Sequence, residues 1–362
     1  MNNRQRAEAL PDGYVRNAVN VDFDNQGNLR LRNGNTQLYS GSGCHSFDLR
    51  YFVESGDLKR LESDNTATTV KSTVGDSAML FTQVGGIIYY GNETTTGRIV
   101  NGVSRNNGAQ TPIKNPDCLA VVSGGMFAGD YQVTMTWIDD LGEESGALAG
   151  KRLTVAEGGG IFVDNFPTPP GNIDKLALYV TSVNGEEFYL YGEYPATTGQ
   201  VNITKSINSI PLRTQFCYVP EFKNQALQAH YGRIYWADGN LLRFTLPQRY
   251  GLTKANHFLP LDSQVAVIAS IPNALYVATL NKTYRITNLD GEGFPVRTEI
   301  KPYGAVPGSL AYDSNTTNAF WHSDKGFVTA TDEGVGELTY AMIAASLFTW
   351  GASLVVERDG LK

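Results

Sequence analysis

Cysteine and histidine are scarce in this sequence of 362 residues, which contains three cysteines and four histidines. Cys44, Cys118 and Cys217 are odd in number and stand far apart, so they predict neither a disulfide framework nor a CxxC metal pair. No two histidines have the spacing of an HxH or HExxH motif, and the sequence therefore predicts no zinc site. So few thiols are typical of a reducing compartment.

Long apolar runs and enzyme motifs are missing as well. No stretch of about 18 apolar residues occurs, so no membrane-spanning helix is predicted, and residues 1–13 lack the apolar core of a signal peptide. There is no GxSxG elbow and no Walker A loop. Adjacent carboxylates such as Glu143 and Glu144 are expected to point to opposite sides of the chain, which does not make an acid–base pair. We therefore predict a protein that is not an enzyme and that uses no cofactor or metal.

Basic residues are outnumbered, because 29 lysines and arginines stand against 36 aspartates and glutamates, a formal net charge of -7. Tight wrapping of nucleic acid needs clustered basic residues, so this balance argues against it. An acidic wall that repels phosphates still suits DNA that only passes through. The nearest approach to basic patches is two pairs, Arg30 with Arg32 and Lys59 with Arg60. We predict that they contact channel DNA or a neighbouring subunit, with solvated surface as the plainer interpretation.

Glycine and aromatic residues are abundant, with 38 Gly, 19 Tyr and 16 Phe. Short strands joined by many turns need this mixture, because aromatic side chains suit pleated surfaces and glycine adopts positive φ. One hairpin pattern, an apolar strand, a polar turn and a second apolar strand, recurs at residues 51–61, 88–100, 234–244, 275–286 and 320–328. Neighbouring copies begin about 40 residues apart, which is the repeat length of a four-stranded propeller blade. The predicted fold is all-β, with a β-propeller of five or six blades.

A long gap separates the second and third hairpins and predicts an inserted domain. Alternation over Tyr131–Trp137 puts every second residue on one face of a strand. Further short strands are predicted near residues 152–155, 161–165, 176–181 and 188–191. Several short strands in about 90 residues without a cysteine pair predict a fibronectin type III-like β-sandwich. The predicted domains are the N-terminal part of the propeller at 1–115, the inserted sandwich at 116–204 and the C-terminal part of the propeller at 205–362.

The stretch Val19–Arg32 (VNVDFDNQGNLRLR) admits two interpretations. Its first residues resemble a calcium-binding loop, but such a loop needs an oxygen ligand at its fifth position and a bidentate Glu at its twelfth. The sequence has Gln26 and Asn33 there. A hairpin with its turn at residues 24–28 explains more of the stretch. We expect it to complete a propeller blade that begins near residues 353–357, while residues 341–347 are predicted as either a short helix or a buried strand.

Several stretches, taken in order, resemble the β-propeller tail nozzle proteins of short-tailed bacteriophages, which stabilise packaged DNA. They are Asn17–Gly34 followed by Cys44–Ser46, then Gly142–Ser145, Leu178–Thr181, His230–Asn240, Leu246–Gly251 and Phe320–Gly326. The pattern covers most of the chain and consists of turns and hairpins rather than a catalytic signature. This chain is short for such a protein, which implies that elaborations such as tip domains are absent.

The resemblance implies a structural virion protein that is made in the host bacterial cytoplasm and built into the phage tail. Such nozzles are homohexameric rings below the portal and the adaptor, and their propellers surround a DNA channel that holds the genome until ejection. The implied partners are further copies of this chain, neighbouring tail proteins and DNA in the lumen. Two alternatives stay open: a propeller module of the tail that binds host-surface glycan, and a virion-associated glycan hydrolase.

Overall fold

The computed structural model describes residues 21–23, 29–31, 37–41, 44–48, 50–206, 209–223, 226–289, 293–313, 316–338, 349–351 and 353. At 21–23, 29–31 and 44–48 the description covers the backbone alone. Within these ranges the regular structure is entirely β, with 31 strands. None of the described residues forms a helix with the length and apolarity that a membrane crossing requires. The predicted all-β class is confirmed.

In chain order the strands are β1 (Val21–Phe23), β2 (Leu29–Leu31), β3 (Cys44–Asp48), β4 (Tyr51–Glu54), β5 (Asp57–Leu61), β6 (Ala67–Lys71), β7 (Leu80–Val84), β8 (Ile87–Gly91), β9 (Thr96–Val100), β10 (Val103–Arg105), β11 (Asp117–Met126), β12 (Gly129–Asp139), β13 (Lys151–Val155), β14 (Gly159–Asp164), β15 (Ile173–Thr181), β16 (Phe188–Pro195), β17 (Gln200–Ile203), β18 (Cys217–Tyr218), β19 (Leu227–His230), β20 (Arg233–Asp238), β21 (Leu241–Phe244), β22 (Thr253–Lys254), β23 (Phe258–Pro260), β24 (Val265–Ile271), β25 (Ala274–Thr279), β26 (Thr283–Thr287), β27 (Val296–Lys301), β28 (Ala311–Tyr312), β29 (Ala319–Ser323), β30 (Gly326–Thr331) and β31 (Gly334–Glu337).

The chain divides into two compact units. The second unit comprises Asn106–Glu221 and Thr245–His257, and the remainder of the described chain belongs to the first. The second unit thus contains the whole insert predicted at 116–204, together with a segment from the C-terminal part of the sequence. Each unit is described below by itself.

The first unit is a β-propeller with five blades in its described part. Each blade is a four-stranded antiparallel sheet in chain order: β3 to β6, β7 to β10, then β19, β20, β21 and β23, then β24 to β27, and β28 to β31. The five hairpins predicted from the sequence are the second and third strands of these five blades. The blade repeat is therefore confirmed by strand pairing.

The N-terminal hairpin is also confirmed for its two strands. Strand β1 pairs antiparallel with β2, and Phe23 lies opposite Leu29. The turn at 24–28, where the calcium-loop interpretation places its ligands, lies outside the described residues. So do 341–347 and most of 353–357, and the predictions made for those residues stay predictions.

Apolar side chains fill the spaces between consecutive blades. One buried cluster joins the first and second blades and includes Val53 and Tyr90. Phe222 packs edge-on against Tyr89 of the second blade and Trp236 of the third, with ring centroids 5.9 Å and 5.3 Å away. Further clusters join the third blade to the fourth and the fourth to the fifth. Burial of this kind is the main contribution to holding sheets face to face.

Polar groups link the first strands of four consecutive blades. The Ala229 amide donates to Thr82 Oγ1 at 2.9 Å. His230 Nδ1 and Ser270 Oγ share a hydrogen bond of 2.9 Å, and the Ser270 amide donates to the Tyr312 hydroxyl at 2.9 Å. We call these contacts the inner-strand links. They connect β7, β19, β24 and β28, and all of them are formed by uncharged groups.

The second unit contains a seven-stranded sandwich with the architecture of fibronectin type III domains. One sheet has the order β11-β14-β17 and the other β13-β12-β15-β16. Tyr131, Val133, Met135 and Trp137 are all at most 1% exposed in the core between the sheets. The alternation predicted for this strand is confirmed. Strands β11 and β17 were not predicted, since Gly124 and its neighbours interrupt the apolar alternation of β11.

Candidate functional site

Two of the four predicted site residues lie side by side on β5, and each is next to a carboxylate. Lys59 Nζ donates to Glu54 Oε2 at 2.6 Å, and Arg60 Nε donates to Glu62 Oε1 at 2.8 Å. These hydrogen bonds raise the pKa of Lys59 and of Arg60 and lower the pKa of Glu62. Each cation is thus neutralised within its own blade. Contact of this pair with DNA or with another subunit stays a prediction.

Of the other predicted pair, Arg30 belongs to β2 of the N-terminal hairpin. Arg30 lies directly opposite Asp22 in the β1–β2 ladder, so the backbone register brings a cation and an anion to facing positions. Arg32 lies outside the described residues. The role predicted for these arginines stays a prediction too.

A cavity of about 430 Å³ opens in the second unit. It lies on the outer face of the four-stranded sheet, because alternation along β15 sends Leu178 into the sandwich core and Tyr179 to the opposite side. Four aliphatic side chains contribute its apolar wall: Ile138, Leu190, Ile210 and Leu252. Six polar side chains complete it: Glu143, Glu144, Tyr179, Glu193, Gln248 and Arg249. Its size falls within the range of ligand sites in proteins.

A tight turn after β12 presents the two adjacent glutamates. Asp139 Oδ1 accepts hydrogen bonds from the amides of Leu141 at 3.0 Å and Glu143 at 2.8 Å. The Trp137 amide donates to Ser145 Oγ at 2.9 Å and so fixes the end of the turn. Both Glu143 and Glu144 line the cavity, so the expectation that they point to opposite sides was wrong. The alternation rule belongs to regular strands, whereas these residues follow the turn at Asp140–Leu141, and Glu144 forms only an isolated bridge with Ile138.

Glu144 is the centre of a small polar network, which we call the Glu144 network. Its Oε1 accepts hydrogen bonds from Thr136 Oγ1 at 2.8 Å and from the Tyr179 hydroxyl. Its Oε2 lies 3.7 Å from Arg249 Nη1. Burial raises the pKa of Tyr179, and the Glu144 charge raises it further, so the hydroxyl stays protonated and acts as a donor. The carboxylate is thereby held in one orientation at the cavity.

The segment that carries Arg249 is close to the sandwich backbone. A Cβ atom on Gly108 would lie 2.6 Å from the Gly251 carbonyl oxygen, and a Cβ on Gly251 would lie 2.9 Å from Gly108 Cα. Two chain segments approach this closely only where both lack side chains. Strand β22 then pairs with β18, with Cys217 opposite Lys254. Residues 245–257 are therefore an integral part of the second unit.

Three of the stretches that carry the phage resemblance meet at this cavity. Gly142–Ser145 supplies the two glutamates, Leu178–Thr181 supplies Tyr179, and Leu246–Gly251 supplies Arg249. The sequence shows each stretch separately and does not predict that they lie together in the fold. They share no sequence signal, because Gly142–Ser145 and Leu246–Gly251 combine glycine with charged residues whereas Leu178–Thr181 has neither. No group of three or more His, Cys, Asp or Glu side chains with the geometry of a metal site occurs in the described part of the chain.

Comparisons with known proteins give matches among solved structures alone. No protein-family model matches it, and no curated protein matches it either. The crystal structure of the computationally designed Ika8 protein is 11% identical, with 87% of this chain and 94% of that chain covered and a TM-score of 0.24. Apo AztD from Citrobacter koseri is 14% identical, with 78% and 77% covered and a TM-score of 0.23. At these TM-scores neither likeness bears on fold or function.

Proposed function

We propose that this chain is a structural protein of a short-tailed bacteriophage tail. In this proposal it is a nozzle subunit that forms a ring of six copies, in the manner of the family it resembles, around a DNA channel. The ring retains the packaged genome and conducts it during ejection. Its partners are further copies of the chain, the neighbouring tail proteins and the DNA in the lumen, and its place is the virion.

One observation carries the proposal: the convergence of three resemblance-bearing stretches on the Glu144 network. Gly142–Ser145, Leu178–Thr181 and Leu246–Gly251 are separated by long pieces of sequence, yet they meet around a single carboxylate. Turns that resembled another family by coincidence would have no reason to meet. Their convergence supports a resemblance based on a shared structural element, and the function follows from the resemblance.

The first unit has properties that suit a tube wall. Its blades are continuous antiparallel sheets, packed face to face and connected by the inner-strand links. The net charge of -7 belongs to the whole chain, and in the first unit Lys59 is already paired with Glu54. Acidic residues that face the lumen would repel DNA and let it slide. The mechanism is therefore mechanical and electrostatic, with no chemical step.

The assembly state of the purified full-length chain tests the ring. Native mass spectrometry and cryo-electron microscopy are expected to show a closed ring with a central channel, and cryo-electron microscopy of phage particles is expected to place the ring in the tail. A chain that stays monomeric at every concentration and is absent from particles would contradict the proposal.

Genome retention tests the predicted basic residues. Particles that carry Lys59→Ala with Arg60→Ala, or Arg30→Ala with Arg32→Ala, are compared with particles that carry Lys151→Ala with Lys175→Ala in the second unit. If the predicted pairs contact channel DNA, their loss changes spontaneous DNA release while the control pair does not. Equal release from all three variants would make the predicted pairs ordinary surface residues.

A further inference from the structure

The cavity of the second unit places carboxylates next to an apolar wall. Glu143, Glu144 and Glu193 line it, together with Arg249, whose guanidinium lies 3.7 Å from Glu144. Glu193 is neutralised in part by Lys175, which lies 3.0 Å away. Phosphates and other anions are disfavoured in such a site, because like charges repel strongly at short range. The lining favours a cationic ligand.

Glu144 has one oxygen available to such a ligand. Oε1 accepts two hydrogen bonds, from Thr136 and Tyr179. Oε2 accepts none from the described residues, and Arg249 Nη1 remains at 3.7 Å, beyond hydrogen-bond distance. The side chain is only 19% exposed, so water has limited access to it. A hydrogen bond from a charged donor to this oxygen is stronger than a neutral one.

We propose that this cavity binds the basic side chain, arginine or lysine, of a partner polypeptide. The charged end is held at Glu144 Oε2, and the aliphatic stem lies along Ile138 and Leu190. Arginine and lysine both have this division into a charged head and an apolar stem. Arginine fits better, since its planar guanidinium matches a carboxylate in a fixed orientation.

The surroundings of the cavity favour a polypeptide over a free small cation. Ile210 in the lining is 56% exposed, and Leu141, next to the lining residue Gly142, is 40% exposed. Apolar residues at the edge of a charged cavity are covered when the residues flanking the basic side chain pack on them. A small hydrated cation would leave them in water.

The test is a titration of the full-length chain with blocked amino acids, followed by NMR of isoleucine and leucine methyl groups. N-acetyl-arginine amide is the probe, and N-acetyl-citrulline amide is the matched control, because it has nearly the same shape without the charge. The arginine probe is expected to shift the methyl signals of Ile138, Leu190 and Ile210 to saturation. The citrulline probe is expected to bind about tenfold more weakly, as loss of a charge-assisted hydrogen bond predicts. N-acetyl-Leu-Arg amide is expected to bind more tightly than the single residue.

Variants of the glutamates test whether the arginine probe binds in this cavity. Glu144→Gln is expected to weaken the arginine probe about tenfold, and Glu193→Gln to weaken it less. Glu186→Gln, at an exposed residue outside the lining, serves as the control and leaves binding unchanged. The dispersion of the methyl spectrum shows whether each variant is folded. If Glu144→Gln does not fold, Glu193→Gln and the citrulline control decide the result.

Three results would overturn the proposal: shifts that never saturate, equal binding of the arginine and citrulline probes, or spermidine binding more tightly than N-acetyl-Leu-Arg amide. The last would assign the cavity to a free polyamine. The proposal stands apart from the phage function, because it concerns the purified chain. A chain that forms no ring can still bind the probe, and a ring-forming chain can fail to bind it.

Discussion

The two units differ in how far apart along the chain their neighbouring strands lie. Each propeller blade pairs its four strands in chain order, and the fourth, for example, is built from the single stretch Val265–Lys301. The sandwich interleaves its strands as β11-β14-β17 and β13-β12-β15-β16. Its unit also takes in Thr245–His257 from a distant part of the sequence. Local pairing makes the first unit a repeat, whereas the second depends on long-range contacts that cost more chain entropy to form.

The units also differ in the chemistry of the polar contacts that connect their parts. The inner-strand links of the propeller join uncharged groups, with His230 among them. On the outer face of the sandwich, the Glu144 network is built around a charge. We therefore expect the first unit to be sensitive to the protonation of a buried histidine. The second unit should instead be sensitive to changes of shape and charge where its distant segments meet.

The largest expected effect separates the stabilities of the two units. Trp137→Ala removes a side chain that is 1% exposed in the sandwich core, and changes of this kind cost about 3–5 kcal/mol of unfolding free energy. Hydrogen exchange followed by mass spectrometry is expected to show weaker amide protection in the strands of the second unit and unchanged protection in the propeller blades. Val122→Ala, at a residue 95% exposed, is the control and should change little. Equal loss of protection in both units would show that they unfold together.

Acid is expected to act on the first unit through His230. Burial lowers its pKa to about 4, below the ordinary value near 6.5. Between these values the unfolded chain binds a proton that the folded chain does not, so stability falls as the pH falls from about 6.5 to about 4. The full effect is up to ~3 kcal/mol. Denaturant midpoints of the first unit, measured at several pH values, check this expectation.

His230→Gln supplies the control for the acid effect. Burial also lowers the pKa of His322, so His322 too makes the first unit less stable in acid. The contribution of His230 is therefore the difference in acid sensitivity between the native chain and the variant. The variant is expected to lose less stability than the native chain over the same pH range. If both lose the same amount, His230 does not couple the blades to pH.

A smaller effect tests whether residues 245–257 belong to the second unit. Gly251→Ala adds a Cβ that meets Gly108 Cα at 2.9 Å and the Asn107 carbonyl oxygen at 3.0 Å. Both contacts are backbone, which cannot move aside easily, so we expect a loss of about 1–3 kcal/mol. Gly171→Ala, where a Cβ meets nothing within 4 Å, is the matched control. Faster hydrogen exchange at 245–257 in the first variant alone is the expected result, and unchanged exchange would separate the segment from the sandwich.

The difference between the units also explains what the sequence reveals about each. All five blade hairpins were predicted, because turn residues and apolar alternation lie within a few residues of one another. The strand Tyr131–Trp137 was predicted for the same reason. Strand β11 was missed because its alternation breaks at Ser123–Gly125 and its register shifts between Val121 and Met126.

The cavity could not be predicted, since its parts have no local signal. Glu144 and Arg249 come within 3.7 Å although they are far apart in sequence, and the close approach of Gly108 to Gly251 places the segment that carries Arg249. Because Glu143 and Glu144 are adjacent, the sequence predicts that their side chains point to opposite sides of the chain. The turn that Asp139 stabilises brings both residues to one cavity instead. The sequence identifies Lys59 and Arg60 as a basic pair. It does not predict their hydrogen bonds to Glu54 and Glu62, because these depend on side-chain positions.

The smallest expected effect concerns the charge balance of the Glu144 network. Arg249 is 43% exposed and lies 3.7 Å from Glu144, so Arg249→Ala should cost less than about 1 kcal/mol of stability. Although the variant should be slightly less stable, it should bind the arginine probe more tightly. Without the competing guanidinium, Glu144 Oε2 is more available, and the arginine probe should bind more tightly than it does to the native chain. Arg152→Ala removes an exposed cation elsewhere in the second unit, paired with Asp130, and should leave binding unchanged. Weaker binding in the Arg249 variant would show that Arg249 helps to order the site and does not compete with the probe for Glu144 Oε2.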